Sequence, residues 1–253
     1  VLWPPVQSQE LQYGKHLRLS TTAPLVLSIN GEIDLFPLLT WSGLVEILDR
    51  HGISMQVKRP FSGAQMRLSV DQTICPGRHR YELRIQPECA LLNASDTMGL
   101  LYGVYALVQL IQLHSDVVHH KDRTDLYLPC ISISDYPDLP DRAVLWSYRQ
   151  CARSSYKGMR DAVQLLSKLH INRLFLSVES DATNVGAAFP GAETSDDETR
   201  EDSSLDHEGN SLATKICAID ETCRRHGVEL VPTLVISCVK QCVQMDSVIK
   251  NFS

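Results

Sequence analysis

Two prolines interleaved with aspartates, in the stretch Asp135-Tyr136-Pro137-Asp138-Leu139-Pro140-Asp141-Arg142, constrain this chain more than any other feature. Proline fixes φ and offers no backbone donor, so neither Pro137 nor Pro140 fits inside a helix or a central strand. An apolar run from Leu128 to Ile133 leads into the stretch, and a second, Ala143 to Trp146, leaves it. The chain therefore changes direction here, and Arg142 stands at a seam between two folded parts. Residues 1–135 are expected to form one domain and 136–253 another, as suits a length well above the ~100–150 residues of a common domain.

Before the seam the pattern is that of strands followed by a long helix. Leu17 to Ser20 and Leu25 to Ile29 read as short strands, Phe36 to Arg50 has helical apolar spacing with Gly52 as its stop, and Ser54 to Lys58 and Gln65 to Val70 are further strands. Tyr81 to Ile85 alternates with period two, Gln86-Pro87-Glu88 turns, and Cys89 to Asn93 returns, which predicts a hairpin. Asp96 or Thr97 can cap a helix whose stripe is Leu100, Leu101, Val104, Leu107, Val108 and Ile111. The first domain is accordingly expected to be α+β. His119-His120, in the polar stretch before Leu126, reads as a solvated pair.

After the seam the rhythm becomes strand, helix, strand, helix, strand: Ala143 to Trp146, Tyr156 to His170, Leu174 to Val178, Leu212 to His226 and Val228 to Ile236. Near-continuous apolar strands separated by amphipathic helices predict a parallel sheet covered by helices. Residues 183–210, rich in acids, Ser and Gly, are expected to be a disordered acidic insertion.

Composition removes several function classes. A net charge of −6 supplies no basic field for nucleic acid, and no run approaches the ~20 apolar residues of a membrane-spanning helix. Of the eight cysteines none is spaced C-x-x-C, and the pair Cys238/Cys242 has no second pair to complete a zinc site, so neither metal nor cofactor is expected. Asn93-Ala94-Ser95 and Asn251-Phe252-Ser253 match the glycosylation acceptor pattern, with chance the preferred reading. The chain opens on Val1 and is expected to be a mature form or an excerpt. Its compartment is lysosomal or secreted if a signal peptide has been removed, and cytoplasmic otherwise.

Several pieces in order resemble the family-20 glycoside hydrolases, the β-N-acetylhexosaminidases. Leu2-Trp3-Pro4-Pro5-Val6-Gln7 resembles the family's Leu-Trp-Pro-x-Pro-Gln opening, with Pro5 and Val6 exchanged. Tyr81 to Ile85 with Gly99-Leu100-Leu101-Tyr102-Gly103 and on to Leu110 resembles its strand and Gly-x-x-Tyr-Gly helix, and Asp135 to Arg142 its Asp-x-Pro-x-Phe-x-x-Arg seam. His170-Ile171-Asn172-Arg173-Leu174 and His226-Gly227-Val228-Glu229-Leu230-Val231-Pro232 are similar to its second and third barrel strands. The resemblance implies an α+β N-terminal domain followed by an incomplete (β/α)8 TIM barrel, of which this chain holds the first three βα units. A full barrel takes ~250 residues, and about 115 follow the seam here.

The implied function is that of the N-terminal portion of a β-N-acetylhexosaminidase-like hydrolase acting on terminal N-acetylhexosamine residues of glycans, inactive as this chain alone. In the family the sugar's own acetamido oxygen attacks the anomeric carbon, one carboxylate orients it, and a second carboxylic acid protonates the leaving oxygen. That adjacent Asp-Glu pair follows the fourth barrel strand, so no catalytic residue is assigned in this chain. By the same resemblance Arg142 binds sugar hydroxyls, the alternative being a salt bridge to Asp138 or Asp141 that locks the seam. Asp181, just past the second strand, is a second substrate-binding candidate or else a surface acid.

The departures point elsewhere. Ser147 stands where the family usually carries an aspartate at the end of strand one, Ser177 where strand two has a histidine, and Thr233 and Val235 where strand three has two acids. They support an alternative, a non-catalytic pseudo-glycosidase acting as a carbohydrate-binding or scaffold protein. A third reading is a different barrel glycosidase that borrowed the N-terminal domain. Three parallel strands would leave an open sheet edge, through which homo- or hetero-oligomers could form.

Overall fold

A computed structural model describes residues 2–30, 42–58, 63–115, 125–147, 156–180 and 212–236. The chain divides into two compact units, one of residues 1–142 with 166–170 and 225–227, the other of 143–165, 171–224 and 228–253.

The first unit is built on a seven-stranded mixed sheet of order β1-β7-β5-β6-β4-β2-β3. Its strands are β1 (Ser8–Leu19), β2 (Leu25–Asn30), β3 (Met55–Lys58), β4 (Met66–Val70), β5 (Tyr81–Ile85), β6 (Ala90–Ala94) and β7 (Leu126–Asp135). The expected hairpin is present, with Leu83 opposite Leu92. On β5 Tyr81, Leu83 and Ile85 face the core, while Glu82 on the other face pairs with Arg80 and Arg84. β7 joins antiparallel to both β5 and β1, whereas β2, β4 and β6 run parallel to one another.

β1 is three times as long as the short strand expected at Leu17 to Ser20. Only Leu17 and Leu19 turn into the core, and Ser8 to His16 are exposed on both faces, so this edge strand carries no alternating apolar signal. Its backbone is nonetheless paired with β7 from Ser8 opposite Ser134 to Leu19 opposite Leu126, with a bulge between Gln12 and His16. Pro129 of β7 falls opposite His16 at that bulge, outside the part of β7 that pairs with β5.

Among the described residues two helices cover the core face. α1 (Leu44–Arg50) buries Leu44, Ile47 and Leu48. The expected start of this helix at Phe36 lies outside the described residues, as do His119 and His120. α2 (Thr97–Ser115) buries Leu100, Leu101, Val104, Leu107, Val108 and Ile111, the stripe read from the sequence, and Tyr102 and Tyr105 with them. Its glycines have a packing reason: a Cβ on Gly103 would run into the Leu92 side chain, and one on Gly99 into the Arg80 carbonyl. The helix lies closer to the hairpin than any side chain at those positions would allow.

The second unit holds a three-stranded parallel sheet, order β10-β9-β8, made of β8 (Ala143–Ser147), β9 (Arg173–Ser180) and β10 (Glu229–Ile236). α3 (Tyr156–Lys168) follows β8, and α4 (Leu212–Arg225) precedes β10. Met159 and Val163 of α3 and Ile219 and Cys223 of α4 are buried, as their helical spacing requires. Residues 183–210 lie outside the described residues.

Candidate functional site

The seam is held from the chain's first residues. The Trp3 backbone N–H donates to Gln109 Oε1 at 2.8 Å, and Gln109 Nε2 returns a bond to the Trp3 carbonyl at 2.7 Å, which ties the opening segment to α2. Gln7 does the same at the seam: its N–H reaches Asp135 Oδ1 at 3.2 Å, and its side-chain amide donates to the Tyr136 carbonyl and to Asp138 Oδ1 at 2.9 Å. Burial pushes the Asp135 carboxyl above the usual aspartate range, against the pull of bonds from Gln7 and the Tyr81 hydroxyl. Burial, then the Asp135 charge, pushes the Tyr81 phenol up in turn.

Arg142 closes the seam. Its guanidinium donates from Nε to the His170 carbonyl at 2.5 Å, from one terminal nitrogen to the Leu139 carbonyl, and from the other to the Tyr102 hydroxyl at 3.0 Å. Its carbon lies 5.8 Å from the Tyr102 ring centre. The Tyr102 ring is stacked on the His170 imidazole, centroids 4.1 Å apart. Burial, and then the charge of Arg142, pushes the imidazole down to about 4, while burial pushes the Tyr102 phenol up despite Arg142. Beside this cluster the Ser167 hydroxyl donates to the His226 carbonyl at 2.6 Å, so the Tyr105 hydroxyl donates to Ser167 Oγ at 3.0 Å. Burial has the Tyr105 phenol pushed up to about 12.

A fork of fixed N–H donors engaged with two carbonyls and a phenol is a clasp. The expectation at this seam named Asp138 or Asp141 as the locking partner; Asp138 takes the Gln7 amide. Asp181 lies outside the described residues.

Tyr102 and His170 fall within motifs read from the sequence, but no site role was given to them there, nor to Tyr105 or Ser167. Tyr102 and Tyr105 sit among the residues of an apolar stripe. A signal was present all the same, since a buried phenol needs a partner for its hydroxyl and two of them on one helix face mark a polar seam.

In the second unit the departures noted in the sequence coincide in space. Ser147 on β8 is in register with Ser177 on β9, and Ser177 with Thr233 on β10. Residues in register on neighbouring strands share a face, so the three form one row of hydroxyls across the sheet. Ser177 is buried, and the Thr233 hydroxyl donates to the Val231 carbonyl at 3.4 Å. Such a row can give and accept neutral hydrogen bonds but cannot act as a general acid near neutral pH. Among the described residues no cluster of His, Cys, Asp and Glu could hold a metal ion, and no helix is long and apolar enough to cross a membrane.

No protein-family model and no curated protein sequence matches the chain. Solved structures do. A family-20 exo-β-N-acetylglucosaminidase from Vibrio harveyi, in complex with N-acetylglucosamine, superposes with a TM-score of 0.63 at 16% identity over 91% of this chain and 35% of that one. A β-N-acetylhexosaminidase from Bacteroides fragilis gives 0.62 at 17% identity, over 92% of this chain and 44% of its own. The N-acetyl-β-hexosaminidase of Streptomyces plicatus gives 0.62 at 15% identity, over 90% and 44%. The chain thus has a partial family-20 hexosaminidase fold and spans well under half the length of the proteins it resembles.

Proposed function

We propose that this chain is the N-terminal portion of a β-N-acetylhexosaminidase-like glycoside hydrolase acting on terminal N-acetylhexosamine residues of glycans. In this reading β8, α3, β9, α4 and β10 belong to the first three βα units of a barrel, and the two catalytic carboxyl groups come from beyond them. The observation that carries the proposal is the likeness in fold over about nine-tenths of the chain, which takes in both the mixed sheet and the parallel one. These 253 residues alone are then inactive. Purified chain is expected to release no aryl group from an aryl β-N-acetylglucosaminide; turnover that survives repurification and falls on substitution within the chain would overturn this. Intact mass and C-terminal peptides of the endogenous protein test the rest of the proposal. A longer polypeptide with an Asp-Glu pair after a fourth strand supports it, and a polypeptide ending at Ser253 refutes it.

The hydroxyl row Ser147, Ser177 and Thr233 favours a second reading, a pseudo-glycosidase that binds carbohydrate without cleaving it. Uncharged hydroxyls suit a neutral polyol and give no acid for glycoside protonation. Arg142 and Asp181 are the candidate sugar contacts in either case. Millimolar N-acetylglucosamine is then expected to shift the Arg142 Nε–H signal in NMR spectra, and an unmoved signal would leave Arg142 to the seam alone.

A further inference from the structure

We propose that Tyr102, Arg142 and His170 form an acid-operated latch in the first unit, in which protonation of His170 frees residues 166–170 and the Arg142 side chain from α2. The inference is independent of the glycosidase reading.

The geometry disfavours an imidazolium in place. One face of its ring is against Tyr102 at 4.1 Å, and its own carbonyl receives the Arg142 Nε–H. The charge that bears on it is therefore another positive one. The remaining titratable neighbours offer no compensation. From α2 they are the Tyr102 and Tyr105 phenols, both pushed up by burial and neutral over the acid range. Beyond Tyr102 stands His79, ring centre 6.3 Å away, which with the N-terminus of α2 already engages the Asp96 carboxylate. From the end of α4, His226 presents its backbone carbonyl to Ser167. An imidazolium at this position must be stripped of water beside a guanidinium, or leave.

Leaving is short work for this segment. After Lys168 the chain makes one closing turn, from Leu169 N–H to the Leu166 carbonyl and from His170 N–H to the Ser167 carbonyl. His170 then sits at φ 61, a left-handed conformation that a residue with a side chain holds only under constraint from its surroundings. Once the stack opens, the Arg142 bond to the His170 carbonyl opens with it. In sequence, Ala143 of β8 follows Arg142 directly, and β9 begins at Arg173, three residues after His170.

The sign follows from linkage. The closed form holds His170 near 4 and the open form near its ordinary 6.5, so between these values the closed form binds fewer protons and acid favours opening. The latch is fully shut above about pH 6.5. Opening rises as pH falls, by on the order of a hundredfold across the window, and levels off below it.

Amide hydrogen exchange and NMR titration of the 253-residue chain test this between pH 7 and pH 4. The His170 ring is expected to titrate well below 6.5. Leu169 and His170 amides should lose protection, corrected for intrinsic exchange, on the order of a hundredfold while Tyr81 to Ile85 keep theirs. His170→Asn tolerates the left-handed backbone and carries no titrating ring, so it should flatten the pH dependence. Titration at or above 6.5, loss of protection in step with Tyr81 to Ile85, or an unchanged pH profile in the Asn variant would each overturn the latch. Should the variant not fold, the first two readouts decide alone.

Discussion

Asp96 shows how much one residue can organise. It accepts from the backbone N–H groups of His79 and Gly99, at 2.9 and 2.8 Å, and from the His79 ring and the Ser95 hydroxyl. Burial pushes its carboxyl up, but these donors outweigh burial and hold it below the usual aspartate range. Asp96→Ala is expected to cost about 1–2 kcal/mol in urea unfolding at neutral pH, as loss of an N-cap does. A carboxyl held low contributes stability that is present above the ordinary aspartate range and lost as pH falls through its folded value. The difference between wild type and variant should therefore shrink below about pH 4. The cap was legible because an Asx residue before an apolar stripe has a local signature. Arg142 was legible as important but not in its partners. A phenol forty residues earlier and a carbonyl twenty-eight residues later leave no mark beside it in the sequence. Arg142→Lys is expected to lose about 1–3 kcal/mol, since one ammonium cannot serve the acceptors that the fork reaches; an unchanged urea midpoint would refute the clasp.

At the scale of elements, α2 sets the terms for the first unit. Glycine inside a helix costs up to about 1 kcal/mol against alanine, so Gly103→Ala ought to stabilise an isolated helix. Here the added methyl meets Leu92 and Tyr81, and overpacking of a core costs about 1–3 kcal/mol. Packing wins: the variant is expected to unfold at lower urea, and Gly99→Ala at lower urea still, because a backbone carbonyl cannot move aside as a leucine can. β1 shows the limit of pattern reading in the opposite direction. Residues 8–12 and, past the bulge, His16 pair with β7 through their backbones, and side chains exposed on both faces encode nothing about them. The hairpin was legible because its two strands are neighbours and alternate. The parallel pairing of β2 with β4 and of β4 with β6 joins strands far apart in sequence, which no local period reports.

For the whole molecule, the sequence led to an expected division at residues 135/136 through the seam and the change of rhythm after it. It did not convey that two later segments, 166–170 and 225–227, complete the first unit. Their residues carry ordinary helix-end signals, and their partners are a tyrosine hydroxyl at 105 and a methionine at 98, where a Cβ on Gly227 would strike the sulfur. The seam was equally unreadable as a set of bonds, although the prolines announced its place. That late completion bears on how the protein is made. On a ribosome that adds ~5–20 residues each second, the first unit waits ~4–17 s between the emergence of Arg142 and that of Gly227. Tyr105 on α2 stands uncovered until Ser167 emerges, and Met98 until Gly227 does. Nascent chains stalled shortly before residue 166 should thus be the form that chaperones hold longest.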